Sequence, residues 1–143
     1  MKGAKVLLVD DEKEFTAVLK ERLESRDIIV DTVHNGRDAL EKVKEKSFDA
    51  IVVDLMMPEI DGIETLKLLR EYNSDLQVIL LTGHASIEKG IEAVKLGAMD
   101  FLEKPAELEK LLGQIREARV KRAELIEKRA EEEVSKIMRS KGW

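Results

Sequence analysis

The sequence predicts an α/β domain, a five-stranded parallel sheet doubly wound by helices on both faces. Three observations predict it. Short apolar runs, Val6-Leu7-Leu8-Val9, Ile51-Val52-Val53 and Val78-Ile79-Leu80-Leu81, each end abruptly at a polar residue, as strands buried on both faces do. Between them lie stretches whose apolar residues recur three and four apart, which is helical spacing. Both prolines, Pro58 and Pro105, fall at element junctions, and no repeat or low-complexity linker interrupts the alternation.

The elements follow in order. Val6 to Val9 is the first strand and ends in Asp10-Asp11. Phe15, Val18, Leu19 and Leu23 mark the first helix. Ile28-Ile29-Val30 and Val33 form the second strand, closed by the turn signal Asn35-Gly36. Ala39, Leu40 and Val43 set a second helix through Lys46. Ala50 to Val53 is the third strand, with Asp54 at its carboxyl end. Pro58 and Asp61-Gly62 then shape a loop that opens a third helix, with Ile63, Leu66 and Leu69 inward, as far as Tyr72-Asn73. The fourth strand, Val78 to Leu81, ends at Thr82-Gly83-His84. A fourth helix shows Ile87, Ile91 and Val94 and stops at Gly97. Ala98 to Leu102 is a weak fifth strand. Pro105 suits the first turn of a last helix, where its missing N–H costs nothing. That helix runs from Glu107 towards Met138, with Leu108, Leu111, Leu112 and Ile115 on the sheet.

Residues 1–120 are expected to be the domain proper and 121–143 a helical extension. In the extension Ala123, Ile126, Ala130, Val134 and Ile137 form a thin apolar stripe. It reads as a short coiled-coil seam, a partner-binding helix or an exposed end that frays. Trp143, the sole tryptophan, is expected to be disordered unless a partner holds it.

Composition narrows the function. At 143 residues, 43% hydrophobic and 38% charged, the chain is one domain with a heavily solvated surface. The net charge is −5; residues 1–105 hold 15 Lys and Arg against 22 Asp and Glu, and residues 106–143 hold 10 against 8. Such a body does not suit direct nucleic-acid binding, which leans on clustered basic charge. The absence of cysteine excludes disulfides and thiolate metal sites, and two histidines are too few for a histidine-built zinc site. No apolar run approaches the ~20 residues of a membrane span. The amino terminus leads straight into a strand, leaving no room for a signal peptide, so a cytoplasmic location away from the membrane is expected.

Chemistry-bearing residues collect at strand ends: Asp10 and Asp11 after strand 1, Asp54 after strand 3, Thr82 after strand 4 and Lys104 after strand 5. In a parallel sheet these ends share one edge, so the five residues converge in one crevice. Taken singly, each aspartate is ordinarily a turn former or helix cap, Thr82 a cap and Lys104 a surface lysine. Their joint placement is what resists that explanation. Three gathered carboxylates repel one another unless a cation neutralises them, and a hard divalent ion, Mg²⁺, suits an all-oxygen set. An aspartate can serve as a nucleophile that forms an acyl phosphate. The developing charge then calls for metal, ammonium and hydroxyl partners, which Asp11 with its metal, Lys104 and Thr82 would supply.

Four stretches carry a resemblance: Leu8-Val9-Asp10-Asp11-Glu12, Asp54-Leu55-Met56-Met57-Pro58-Glu59-Ile60-Asp61-Gly62, Leu81-Thr82-Gly83-His84 and Phe101-Leu102-Glu103-Lys104-Pro105. In this order and at these spacings, roughly residues 4–120 resemble a response-regulator receiver domain of two-component signalling. The last two stretches are most similar to receivers of nitrogen-regulation-type transcription activators. The resemblance implies a flavodoxin-like (βα)5 fold with strand order 2-1-3-4-5. It implies that Asp54 is the phosphoacceptor, served by a sensor histidine kinase or phosphotransfer protein. Asp11, Asp54 and the backbone carbonyl of Met56 would ligate Mg²⁺ directly, with Asp10 acting through water. Lys104 would bind a phosphoryl oxygen, and its bond to Pro105 would be a cis-peptide. Thr82 would be the switch hydroxyl and Phe101 the aromatic switch, without the hydroxyl of the tyrosine found in many members. Met56 and His84 hold positions that tune dephosphorylation. Met57 and Pro58 read as structural, and His34 as a surface turn residue.

The expected function is a phosphorylatable switch, not an enzyme, with output through another protein or through a homodimer. Helix 4, strand 5 and helix 5, or the C-terminal helix, would form the contact. A stand-alone receiver is expected, with the isolated receiver portion of an enhancer-binding transcription activator as the alternative. A Mg²⁺-dependent phosphatase with an aspartate nucleophile is a remote alternative, since such enzymes of the haloacid-dehalogenase type want a second acid where Met56 stands. A flavodoxin-like cofactor binder wants a Gly- or Ser/Thr-rich first loop, and this loop is acidic.

Overall fold

The computed structural model describes residues 1–83, 87–105 and 107–142. Its elements are β1 (Lys5–Val9), α1 (Lys13–Glu24), β2 (Ile29–Val33), α2 (Gly36–Glu45), β3 (Ala50–Asp54), α3 (Gly62–Tyr72), β4 (Val78–Thr82), α4 (Ile87–Lys95), β5 (Asp100–Glu103) and α5 (Leu108–Ser140). All strand pairs are parallel and the order is β2-β1-β3-β4-β5. Strand order reverses between β1 and β3, which opens a crevice at their carboxyl ends.

Side chains alternate along each strand, so the core divides into two layers. Leu7, Val9, Ile51, Val53, Val78 and Leu80 meet Ala39 and Val43 of α2, Ile63, Leu66 and Leu69 of α3, and Ala93 of α4. Val6, Leu8, Ala50, Val52, Ile79 and Leu81 meet Leu19 and Leu23 of α1 and Leu111, Leu112, Ile115 and Ala118 of α5. With β1, β3 and β4 covered on both faces, their sequences have to be continuously apolar.

Several elements depart from expectation for local reasons. Val18 of α1 is exposed, and Thr16 is buried instead, its hydroxyl donating to the Lys13 carbonyl at 2.9 Å. In α4 the expected Ile91 and Val94 are exposed, while Gly90 and Ala93 face inward. A Cβ on Gly90 would lie 2.7 Å from the Phe101 ring, so the helix sits too close to β5 for large residues on that side. β2 begins at Ile29, with Ile28 buried in the turn before it, and β5 covers 100–103, not 98–102. Pro105 precedes α5 and is not in its first turn, because the helix starts at Leu108 with Glu107 as its N-cap. Gly97 ends α4 as expected, with φ at 104° and the Ala98 N–H donating to the Ala93 carbonyl at 2.9 Å.

Helix α5 passes residue 120 without a break. Beyond its buried part, Arg122 pairs with Asp49 at 2.9 Å and Arg129 with Asp75 at 2.9 Å. Ile126, Val134 and Ile137 of the apolar stripe are exposed. Among the described residues, no helix is long and apolar enough to cross a membrane.

The loop after β3 returns to α3 through one close approach. Asp61 caps α3, accepting from the Glu64 N–H at 2.9 Å, and the Gly62 N–H donates to the Leu55 carbonyl at 2.9 Å. A Cβ on Gly62 would stand 2.5 Å from both the Asp54 carbonyl oxygen and Leu55 Cα. Neither is the tip of a flexible side chain, so the helix itself would have to move. Gly62→Ala is expected to destabilise the fold by about 2 kcal/mol or more. Gly113→Ala, mid-helix with open space around it, is expected to stabilise by about 0.5–1 kcal/mol. Urea midpoints of the two variants, moving in opposite directions, check this.

Candidate functional site

The carboxyl ends of the strands are locked in register just where the side chains converge. Past the ends of the strands, the Asp10 N–H donates to the Val33 carbonyl (3.2 Å), the Leu55 N–H to that of Leu81 (2.8 Å) and the Lys104 N–H to that of Thr82 (2.7 Å). Asp10, Asp54 and Thr82 are all buried, at 2%, 3% and 2% exposure. These polar groups occupy the edge of an otherwise apolar core because the strands end there.

Lys104 is the centre of the arrangement. Its ammonium lies 2.9 Å from Asp10, 3.1 Å from Glu12 and 3.3 Å from Asp54. It also stands 4.5 Å from the centroid of the Phe15 ring. Burial works to lower the Lys104 pKa, but the bond to Asp10 and the charges of Asp10 and Asp54, with Glu12, hold it above the ordinary lysine value. Asp54 goes the other way. Burial first, and then the charge of Asp10, push its pKa up from 3.8 to about 6, although Lys104 and the Met56 N–H, 3.3 Å from its Oδ1, act to lower it.

Carboxylate oxygens of Asp10, Glu12 and Asp54 come within 4.8 Å of one another. One ammonium cannot neutralise three carboxylates, and the charge of Asp10, second to burial, adds to the rise of the Asp54 pKa. An all-oxygen, under-neutralised cluster of this kind fits a hard divalent cation. Asp11 is exposed and is not a member of that group, whereas Glu12, one residue on, pairs with Lys104 at 3.1 Å. The Glu12 N–H donates to Asp10 Oδ1 at 2.9 Å, which bends the loop so that the Glu12 side chain returns over the site.

Thr82 is at the same edge, its hydroxyl donating to the Gly83 carbonyl at 3.0 Å. Phe101 is half-buried in the layer shared with α4. Met56 is exposed, whereas Met57 is buried in the core. The Lys104–Pro105 peptide bond is cis. His84 and Trp143 lie outside the described residues. His34 is more than a turn residue: it is half-buried, and its Nδ1 donates to the Asp10 carbonyl at 2.9 Å. Glu12 and Phe15 had no role at the site expected from sequence, Phe15 being read only as a helix-face residue and Glu12 only as part of the acidic stretch. Their one signal is position, in the loop after β1 and the first turn of α1, directly beside the acidic strand end.

Comparison with known proteins agrees with this fold. The family model for the response regulator receiver domain matches residues 6–116. The transcriptional regulatory protein ZraR of Klebsiella oxytoca is 40% identical over 113 residues, which is 79% of this chain and 26% of that protein. Response regulator MprA of Mycobacterium ulcerans is 34% identical over 133 residues, 93% of this chain and 57% of that protein. This chain thus spans between a quarter and just over half of these relatives. Among solved structures, a response regulator receiver domain protein from Clostridium thermocellum is 31% identical with a TM-score of 0.82, over 85% of this chain and 98% of that one.

A carboxyl group whose folded pKa lies above its unfolded value favours folding at low pH. For Asp54 the contribution is fully present below 3.8 and is lost as pH rises through about 6. A shift of this size corresponds to about 2–3 kcal/mol. In metal-free buffer, Asp54→Asn is therefore expected to be more stable than the parent by about that much at pH 7.5, and equal to it near pH 3.5. Urea unfolding at the two pH values checks the convergence.

Proposed function

The chain belongs to the response regulator receiver domain family, and from that premise we propose that it is a phosphorylatable switch with Asp54 as the phosphoacceptor. The observation that carries the reading is the ammonium of Lys104 held 3.3 Å from the buried Asp54 carboxylate, inside a cluster with more negative charge than it can neutralise.

A donor phosphohistidine, on a sensor kinase or phosphotransfer protein, would present its phosphorus to the Asp54 carboxylate. An oxygen of Asp54 forms the new P–O bond, the P–N bond breaks, and its electron pair returns to the imidazole. Asp54 with a pKa of about 6 is largely ionised at neutral pH, so no base has to remove a proton first. Lys104, 3.3 Å from Asp54, would pass its N–H bonds from the carboxylates to an oxygen of the arriving phosphoryl group. Asp10, Asp11, Asp54 and the Met56 carbonyl would hold Mg²⁺, with Glu12 adjacent. Bound there, the ion would supply positive charge to the transferring phosphoryl group. The Thr82 hydroxyl would exchange its bond to the Gly83 carbonyl for one to the phosphoryl group. Phe101, packed on Gly90 of α4, would carry that change to the surface where Ile91, Val94 and Leu96 are exposed.

That surface, or the stripe on α5, would then engage a target protein or a second copy. Residues 1–120 would act as the receiver and 121–143 as its helical extension. The exposed, apolar Met56 at the position where a phosphatase wants its second acid supports storage of the group over rapid turnover.

Incubation with a small acyl-phosphate donor and Mg²⁺ is expected to add the mass of one phosphoryl group. Asp54→Asn is expected to abolish it, and Lys104→Met to leave a group that no longer shifts α4 resonances. Intact-mass and NMR spectra read both; an adduct that persists in Asp54→Asn overturns the reading.

A further inference from the structure

The three polar contacts of Lys104 in the acidic pocket leave one of its neighbours unexplained. The Phe15 ring, half-buried among the residues between the sheet, α1 and α5, has its centroid 4.5 Å from the Lys104 ammonium. That is within the distance at which the negative face of an aromatic ring attracts a cation. The ring is in the first turn of α1, which Thr16 anchors through bonds from its hydroxyl to the Lys13 and Glu12 carbonyls at 2.9 and 3.3 Å.

We propose that Phe15 is a positioning residue: its ring seats the Lys104 ammonium at the mouth of the acidic pocket, ready for the phosphoryl group on Asp54. The inference rests on the phosphoacceptor reading above. Lysine is a flexible stem, and its ammonium has three N–H groups to share among three carboxylates. Of these, Glu12 is 62% exposed and is a weakly held partner. Asp10 and Asp54 are the carboxylates that a divalent ion would engage, so the pairs that hold Lys104 here compete with that ion. The ring does not. It attracts the ammonium through its π face, uses none of the N–H groups, and has no affinity for a phosphoryl oxygen. Lys104 can therefore stay seated against Phe15 while its N–H bonds pass from carboxylates to the arriving group.

A series that weakens the ring's electrostatic face at nearly constant size tests this. Phe15 is replaced in turn by mono-, di- and trifluorophenylalanine in the full chain, and Phe15→Leu and Phe15→Trp complete the set. Two quantities are read: the rate of Asp54 phosphorylation by a small acyl phosphate with Mg²⁺, and the proton shifts of the Lys104 ε-methylene in metal-free protein. The rate is expected to fall stepwise with fluorination, by about two- to five-fold over the series. Phe15→Trp is expected to hold or raise it. The upfield ring shift of the Lys104 ε-protons is expected to vanish in Phe15→Leu. In a Lys104→Met background the fluorine series is expected to be flat. A flat series with Lys104 present, or ε-protons unmoved by Phe15→Leu, overturns the role of Phe15 while leaving phosphorylation intact. No phosphorylation of the parent chain would instead overturn the reading on which the inference rests.

Discussion

A single ammonium, that of Lys104, holds together three carboxylates that belong to two different segments of the chain. Asp10 and Glu12 follow β1, Asp54 ends β3, and Lys104 follows β5, more than ninety residues from the first pair. Without that charge the carboxylates would repel across the crevice. With it the repulsion is only partly offset: burial first, and then the charge of Asp10, still raise the Asp54 pKa to about 6. The site is therefore kept in a state that binding of more positive charge relieves. A fully compensated cluster would be a stable ion-pair network and would have no chemical drive towards metal or phosphoryl groups.

Holding this imbalance requires a scaffold that does not relax around it. The sheet supplies one, because β1, β3 and β4 are covered on both faces and their ends are tied by backbone hydrogen bonds that continue past the last strand residue. On the far side of Asp54 the approach of Gly62 leaves no slack between β3 and α3. Rigidity behind the site and a charge deficit within it are thus two parts of one design.

The convergence of Asp10, Asp54, Thr82 and Lys104 at one edge was legible from alternation alone, because burial on both faces leaves an unmistakable apolar run that ends where polar residues begin; the strand order β2-β1-β3-β4-β5 came only with the family resemblance. Helix faces were less legible. Ile91 and Val94 satisfy helical spacing, yet they are exposed, since Gly90 and Ala93 allow α4 to settle closely on Phe101. A pattern of apolar residues shows that a helix has a face but cannot show which neighbours are small enough to admit it. The choice of Glu12 over Asp11 beside Lys104, and the contact of Phe15 with it, depend on the direction in which a short loop turns after β1. Three adjacent acids look alike in sequence. Their difference is set by a backbone N–H that bonds to Asp10.

The same strands that deliver the site also anchor the tail. Asp49 and Asp75 precede β3 and β4, whose other ends carry Asp54 and Thr82. Asp49 is buried, accepts from the Lys5 N–H at 2.8 Å and is met by Arg122 at 2.9 Å and Arg119 at 4.0 Å. Removing either cation side would leave a buried carboxylate under-compensated, which makes this the stiff point of the tether. Arg129 and Asp75 meet nearer to solvent, where the bond to Arg129 lowers the Asp75 pKa but salt screens the attraction. Beyond them Val134 and Ile137 are exposed. Helix α5 is therefore graded along its length: packed on the sheet to Ala118, ion-paired to Arg129, and open thereafter. Its direction is fixed by the body of the domain, while its last turns stay available to whatever the domain addresses.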